Sequence, residues 1–156
     1  MTLYMKQQIF TIGDRFNVWD ASGNDRWYVE QELLTWGKTL RIYDTQEREA
    51  ADIRREVFSL LPRYSITVGG REVAQIVKNF TLFCQEYDVE GPDWRVEGDF
   101  FSHDYAIYSG QRQIASIYRE WLTWGDCYTI ELEDGADELL VLAVVLAIDC
   151  VNAQRN

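Results

Sequence analysis

The 156-residue sequence predicts an all-β barrel that encloses one buried C-terminal helix. Three observations predict it. Leu139–Ile148 reads Leu-Leu-Val-Leu-Ala-Val-Val-Leu-Ala-Ile, with no polar residue. Nearly everything before it alternates short strand-like runs with turn signals. Two stretches of those runs also recur at fixed offsets. A segment apolar on every side must be buried all round. At about ten residues it is half the length that spans a bilayer as a helix. A central helix enclosed by strands satisfies all three.

Tyr4–Ile12 and Arg15–Asp20 are expected as strands, with Gly13-Asp14 turning between them. Asp20 to Asp25 is a polar turn. Arg26–Trp36 is rich in aromatic and aliphatic residues, and Gly37-Lys38 turns it into Thr39–Tyr43. Asp44–Ala51 is charged and polar, an expected exposed loop or single helical turn. Ile53–Leu61, Tyr64–Val68, Glu72–Phe80 and Thr81–Val89 continue the strands, with Gly69-Gly70 as a hairpin turn. Glu90-Gly91-Pro92-Asp93 is a loop. Trp94–Gly98, Tyr105–Tyr108, Gln113–Trp124 and Cys127–Leu132 complete the set. Regular strands and turns of this kind indicate a sandwich or barrel.

The last element is expected to be a helix from Asp137 to Ala153. Its valines and isoleucine favour strand, while its leucines and alanines favour helix. The flanks decide. Asp134-Gly135 is a turn signal. Asp137 suits an N-cap, and Glu138 suits the positive end of a helix dipole. Such a helix is about 25 Å long at 1.5 Å per residue, enough to thread a small barrel.

The internal echoes support closure. Tyr64-Ser-Ile-Thr-Val-Gly-Gly-Arg-Glu-Val-Ala-Gln-Ile matches Tyr105-Ala-Ile-Tyr-Ser-Gly-Gln-Arg-Gln-Ile-Ala-Ser-Ile, and Tyr, Ile, Gly, Arg, Ala and Ile recur in register. Glu32-Leu-Leu-Thr-Trp-Gly37 likewise echoes Glu120-Trp-Leu-Thr-Trp-Gly125. Repeated hairpins can close into a barrel and so remove exposed edges.

Composition bounds the function. A chain of this length suits one domain, residues 1–156. With 47% hydrophobic and 14% aromatic residues it is globular. A formal net charge of −11 works against general binding to nucleic acid or anionic membranes. Cys84, Cys127 and Cys150 are odd in number and widely spaced, which disfavours a disulfide framework or a zinc site. Met1 to Ile12 carries Lys6, Gln7 and Gln8 where a signal peptide needs an apolar run, so the expected compartment is a reducing cytoplasm.

Catalytic motifs are not recognised. His103 is the only histidine, and Ser102-His103-Asp104 reads as a polar turn. There is no GxSxG, HExxH or GxGxxG pattern, and Gly69-Gly70-Arg71 lacks the ending of a phosphate loop. Asp20, Ser22 and Asn24 alternate as a calcium loop does, but Asp25 and Gln31 stand where that loop needs Gly and Glu. The acidic run Glu131 to Glu138 reads as a solvated turn before a capped helix. Asp149 closes the apolar run and reads as a partner for exposed backbone or a side chain at the barrel mouth. The six tryptophans read as core and cross-strand partners.

The order of several segments carries a resemblance. Pro62-Arg-Tyr-Ser-Ile is followed by Gly70-Arg-Glu-Val-Ala-Gln-Ile, Val96-Glu-Gly-Asp-Phe, Asp104-Tyr-Ala-Ile and Gln113-Ile-Ala-Ser-Ile-Tyr-Arg. Tyr128-Thr-Ile-Glu-Leu and Leu139 to Cys150 end the series. Together they resemble the LURP-one-related family, which shares the tubby C-terminal-like fold with phospholipid scramblases. The resemblance covers nearly the whole chain. It implies a closed antiparallel barrel of roughly twelve strands around a central hydrophobic C-terminal α-helix.

The expected function is a non-catalytic cytoplasmic binding or scaffold domain for an unknown ligand or protein partner, with no enzyme activity, cofactor, metal, nucleic acid or transmembrane segment. The alternative is a peripheral phosphoinositide or phospholipid binder, remotely scramblase-like, because the resemblance extends to tubby proteins that hold phosphoinositides in a basic pocket. Candidate ligand-binding residues are Arg54, Arg55, Arg71, Lys78, Arg112 and Arg119. Arg71 matches Arg112 in the echo, and Lys78 matches Arg119. If the strands close, some of these could converge on one rim and hold a phosphate head group.

Overall fold

A computed structural model describes residues 1–6, 15–34, 37–61, 63–80, 85–122 and 125–153. Twelve strands run in chain order: β1 (Thr2–Lys6), β2 (Arg15–Asp20), β3 (Asp25–Leu34), β4 (Gly37–Tyr43), β5 (Glu49–Glu56) and β6 (Arg63–Val68), then β7 (Arg71–Phe80), β8 (Gln85–Glu90), β9 (Trp94–Asp99), β10 (Asp104–Ser109), β11 (Arg112–Leu122) and β12 (Gly125–Leu132). One helix, α1 (Glu138–Ala153), follows. Each strand pairs antiparallel with its sequence neighbours. β1 pairs with β12, for example Leu3 with Ile130, and closes the barrel. Closure leaves no sheet edge to template aggregation.

Strand parity divides the residues between lumen and surface. Leu3, Val18, Val29, Ile42, Ile53, Ile66, Ile76, Val96, Ile107 and Ile130 face inward and are buried. Outward positions alternate with them and carry charge. Glu30, Arg41 and Asp52 align across β3, β4 and β5, and Arg41 also bridges Glu32 and Glu49 at 3.1 and 2.9 Å. A barrel that spans a membrane has the reverse pattern, an apolar outer band.

α1 threads the lumen. Val141 to Ile148 are all at most 1% exposed, so this segment contacts the strands on every side. Its start is fixed as the flanks predict. Leu140 N–H donates to Asp137 Oδ1 at 3.0 Å, and Val141 N–H donates to the Asp137 carbonyl at 2.9 Å. Glu138 is held by Arg26 through two hydrogen bonds and by Trp27 Nε1 at 2.7 Å. These contacts tie the helix start to β3. At 16 residues α1 is about 24 Å long. It defines an upper mouth, where the helix starts, and a lower mouth, where it finishes.

The sequence echoes correspond to equivalent hairpins. Tyr64 pairs with Ile76 in β6–β7, and Tyr105 pairs with Ile117 in β10–β11. Both hairpins shift register at the same place, after Ile66 and after Ile107. The second echo maps onto the lower ends of β3–β4 and β11–β12, where Leu34 pairs with Gly37 and Leu122 with Gly125. The Thr-Trp pairs between them, residues 35–36 and 123–124, lie outside the described residues.

Some boundaries differ from expectation. The polar stretch Asp44–Ala51 is partly strand, because β5 begins at Glu49, opposite Tyr43. The expected strand Ile53–Leu61 stops at Glu56, and Val57–Leu61 is an exposed turn. Its hydrophobicity imitates a strand without the inward parity of one. The first expected strand, Tyr4–Ile12, is described to Lys6, and the Thr81–Val89 strand is described from Gln85; their remaining residues and Cys84 lie outside the described set.

Candidate functional site: the lower mouth of the barrel

The odd-numbered strands run from the upper to the lower mouth, so their last inward residues line the lower one. On β7, Ala74 and Ile76 lead to Lys78, which is paired with Tyr87 and only 4% exposed. Its ammonium sits 5.9 Å from the Tyr87 ring centroid. On β5, Ile53 leads to Arg55, on the inward row of Tyr64. On β11, Ile117 leads to Arg119, on the inward row of Tyr128. Arg55 and Arg119 are exposed, as expected where an inward row runs out of the barrel.

The other candidates lie elsewhere. Arg54 points outward and pairs with Asp52 at 3.0 Å. Arg71 and Arg112 begin their strands at the upper mouth, and Arg112 donates to the Asp134 carbonyl at 3.1 Å. The six candidates therefore divide. Arg55, Lys78 and Arg119 share the lower mouth, and the remaining three are not brought to it.

Beneath the basic residues lies a buried polar cluster. The β9–β10 turn brings His103 to the helix end, with a positive φ of 54°. Its Nε2 is 3.0 Å from the Tyr128 hydroxyl, and its Nδ1 is 3.5 Å from Asp149 Oδ1. The latter contact is longer than an ordinary hydrogen bond of about 2.7–3.2 Å. Burial raises the Asp149 carboxyl to about 7, against a hydrogen bond from Tyr128 that lowers it. Burial also holds the Tyr105 hydroxyl well above its usual range, with Asp149, Tyr128 and Tyr87 adding to the effect. Because desolvation dominates, the carboxyl is mostly protonated below neutrality and does not form one half of a strong ion pair there.

The same turn is pinned in two more ways. Asn152 Nδ2 donates to the Phe100 carbonyl at 2.9 Å. Phe100 is buried edge-on against Tyr87 at 4.8 Å and lies 5.2 Å from Tyr105. Gly98 makes room for this packing. A Cβ there would fall 2.5 Å from both the Asp104 carbonyl oxygen and Tyr105 Cα, and the backbone has φ 143°. Asp99 finishes the turn by accepting from the Phe101 and Ser102 backbone N–H groups and the Ser102 hydroxyl.

Sequence reasoning expected His103 in a polar turn, and it is in one. Its side chain nevertheless turns inward. Asp149 was legible as a mouth residue because it ends an apolar run. The part played by Tyr128 had no signal, since its inward parity follows from the register with Arg119. Gln31 was also missed. It is 1% exposed on an inward row beside Leu40, and neither its amide nitrogen nor its amide oxygen meets a partner among the described residues.

At the opposite end, Asp20 Oδ1 accepts from the Ser22 and Asn24 N–H groups at 2.9 Å, which makes this loop a hairpin turn. Those bonds lower the Asp20 carboxyl below its usual range. No group of three or more His, Cys, Asp or Glu side chains suited to a metal occurs among the described residues. No helix among them is long and apolar enough to cross a membrane.

Comparisons with known proteins agree with the barrel. The family model described as LURP-one-related matches residues 1–149. The chain is 29% identical over 149 residues to the uncharacterized protein YxjI of Bacillus subtilis (strain 168), covering 96% of this chain and 92% of that one. It is 22% identical over 170 residues to protein LURP-one-related 12 of Arabidopsis thaliana, covering 94% and 76%. An X-ray structure of a protein from Arabidopsis thaliana superposes with a TM-score of 0.72 at 16% identity, covering 97% of this chain and 90% of that one. With the closed barrel, the threaded helix and a match to 149 residues, the chain belongs to the LURP-one-related family.

Proposed function

We propose that the chain is a non-catalytic binding domain whose lower mouth takes an anionic, phosphate-bearing ligand. One observation carries this reading: Arg55, Lys78 and Arg119 lie on inward rows of three different strands at the same end of the barrel. Arginine forks recognise phosphate oxygens in a directional, bidentate way. The Lys78 ammonium is buried just inside the mouth and adds positive potential behind the two guanidinium groups.

The polar cluster below supports binding rather than catalysis. An Asp–His–Tyr contact resembles a relay, but both imidazole nitrogens face protein groups and His103 is mostly buried. Its evident role is to hold the β9–β10 turn on the helix end. Carboxylates lie at both mouths, Asp93, Glu133, Asp134 and Asp137 at the upper one and Glu56, Asp99 and Asp104 at the lower one, so the basic row acts as a local site rather than as a basic face.

The test is titration calorimetry with inositol hexakisphosphate, a soluble probe rich in phosphate. Arg55→Gln and Arg119→Gln are expected to weaken binding tenfold or more each, whereas Arg71→Gln and Arg112→Gln change it less than twofold. Equal losses from both pairs would show diffuse attraction. Absence of binding at low salt would refute the phosphate reading.

A further inference from the structure

The lower mouth carries a second feature that its basic residues do not explain. Among the described residues, the exposed large hydrophobic side chains are Met1 at the upper end and five at the lower end. Four of the five lie together on the β5–β6 turn: Val57, Phe58, Leu60 and Leu61. Phe58 is 96% exposed and Leu60 is fully exposed. The fifth, Phe101, is 61% exposed on the β9–β10 turn. Single exposed apolar residues are ordinary, but a concentration at one pole marks an interaction surface.

What covers it is indicated by charge. The β5–β6 turn leaves the barrel after Arg55 and Glu56 and returns at Arg63, which pairs with Glu90 at 3.7 Å, so the exposed cations nearest the turn on this rim are Arg55 and Arg119. An apolar tip with cations at its base suits an anionic bilayer: the tip enters the boundary between head groups and acyl chains, and the cations stay among the phosphates. The carboxylates of the upper turns are remote from such a surface. The acidic upper turns lie about one helix length, roughly 24 Å, from the lower mouth. That is about three Debye lengths at physiological salt, so they scarcely repel a surface touched by the lower mouth.

We infer that the β5–β6 turn is a membrane-docking loop, in which Phe58 and Leu60 insert into an anionic phospholipid surface while Arg55 remains at head-group level. The inference rests on the lower-mouth reading above and adds that the phosphate is presented by a bilayer rather than free in solution. A closed barrel is suited to such docking, because the loop can insert without exposing a strand edge.

The experiment uses the full chain and sedimentation with vesicles of phosphatidylcholine alone or with 30 mol% phosphatidylserine, at about 50 and 150 mM salt. Phe58→Ser/Leu60→Ser is the test variant. Both positions are exposed, so its melting temperature is expected to match that of wild type, and this is measured alongside. Wild type is expected to partition onto the anionic vesicles at both salt concentrations and not onto the neutral ones. The variant is expected to lose at least tenfold in partitioning while its affinity for inositol hexakisphosphate stays within twofold. Wild type that ignores anionic vesicles at about 50 mM salt, or a variant that binds them as well as wild type, overturns the docking loop. A concentration-dependent dimer that the variant abolishes, with no vesicle binding, would overturn it too and assign the turn to contact between two copies. Inositol hexakisphosphate binding that Arg55→Gln and Arg119→Gln leave unchanged, with vesicle partitioning still lost in the serine variant, would refute the basic-mouth reading and leave the loop standing.

Discussion

Replacing Asp149 by asparagine probes the buried cluster through pH. The carboxyl is almost fully enclosed and raised from 3.8 to about 7. In the unfolded chain it ionises near 4. Between these values the folded state keeps a proton that the unfolded state has lost. Stability from this group is therefore fully present below about pH 4 and declines as pH rises towards 7. Each pH unit of the interval is worth about 1.4 kcal/mol, so the full interval gives about 4 kcal/mol. An asparagine side chain cannot ionise and preserves the shape. The expected result is that Asp149→Asn is close to wild type at pH 4.5 and more stable than it by about 3–4 kcal/mol at pH 8, read from urea midpoints at each pH. His103, Tyr105, Tyr87 and Tyr128 face the carboxyl or its neighbours, and Lys78 lies on the same lower rows. Repeating the comparison in a His103→Gln background separates burial from the imidazole, since a desolvation effect persists there. A stability difference between wild type and Asp149→Asn that does not change with pH would refute the reasoning.

Three further perturbations test the architecture. Leu142→Ala removes a fully buried helix side chain and is expected to cost about 2–5 kcal/mol in urea unfolding, whereas a cost below 1 kcal/mol would show a loosely packed lumen. Gly98→Ala forces a Cβ onto the Tyr105 backbone at a positive φ, and its thermal midpoint is expected to fall by several degrees with loss of near-UV signal from Phe100 and Tyr105; an unchanged midpoint would show that β9 can shift. Glu138→Ala leaves Arg26 and Trp27 Nε1 without their carboxylate and is expected to cost about 1–3 kcal/mol, relieved in part by Glu138→Gln, with urea midpoints as the measure.

Much of the fold was legible because it is local. Asp137 as a cap and an uninterrupted apolar run define α1 without tertiary information. The offset between Tyr64 and Tyr105 identified two equivalent hairpins, which share even the irregularity after the third residue of each pattern, Ile66 and Ile107. The echo also sorted the cations into an upper pair, Arg71 and Arg112, and a lower pair, Lys78 and Arg119, although which pair met a mouth with apolar turns was not visible. The adjacent Arg54 and Arg55 show the limit most clearly. A difference of one residue places one outside against Asp52 and the other on the lumen side, and strand parity is fixed by register across the whole barrel. Val57–Leu61 failed for a related reason. Hydrophobicity alone cannot distinguish a strand buried by its neighbours from a turn that carries its apolar side chains into solvent.

The central claim is that the lower mouth is the contact surface for an anionic phosphate-bearing ligand, and amide chemical-shift mapping of isotopically labelled protein measures it directly. On titration with inositol hexakisphosphate, and separately with anionic lipid nanodiscs, the account predicts shifts concentrated at Arg55, Lys78, His103 and Arg119, with Val57–Leu61 added only for the nanodiscs. Shifts concentrated at Arg71, Arg112 and the turn around Asp134, or no shifts with either ligand, would contradict it.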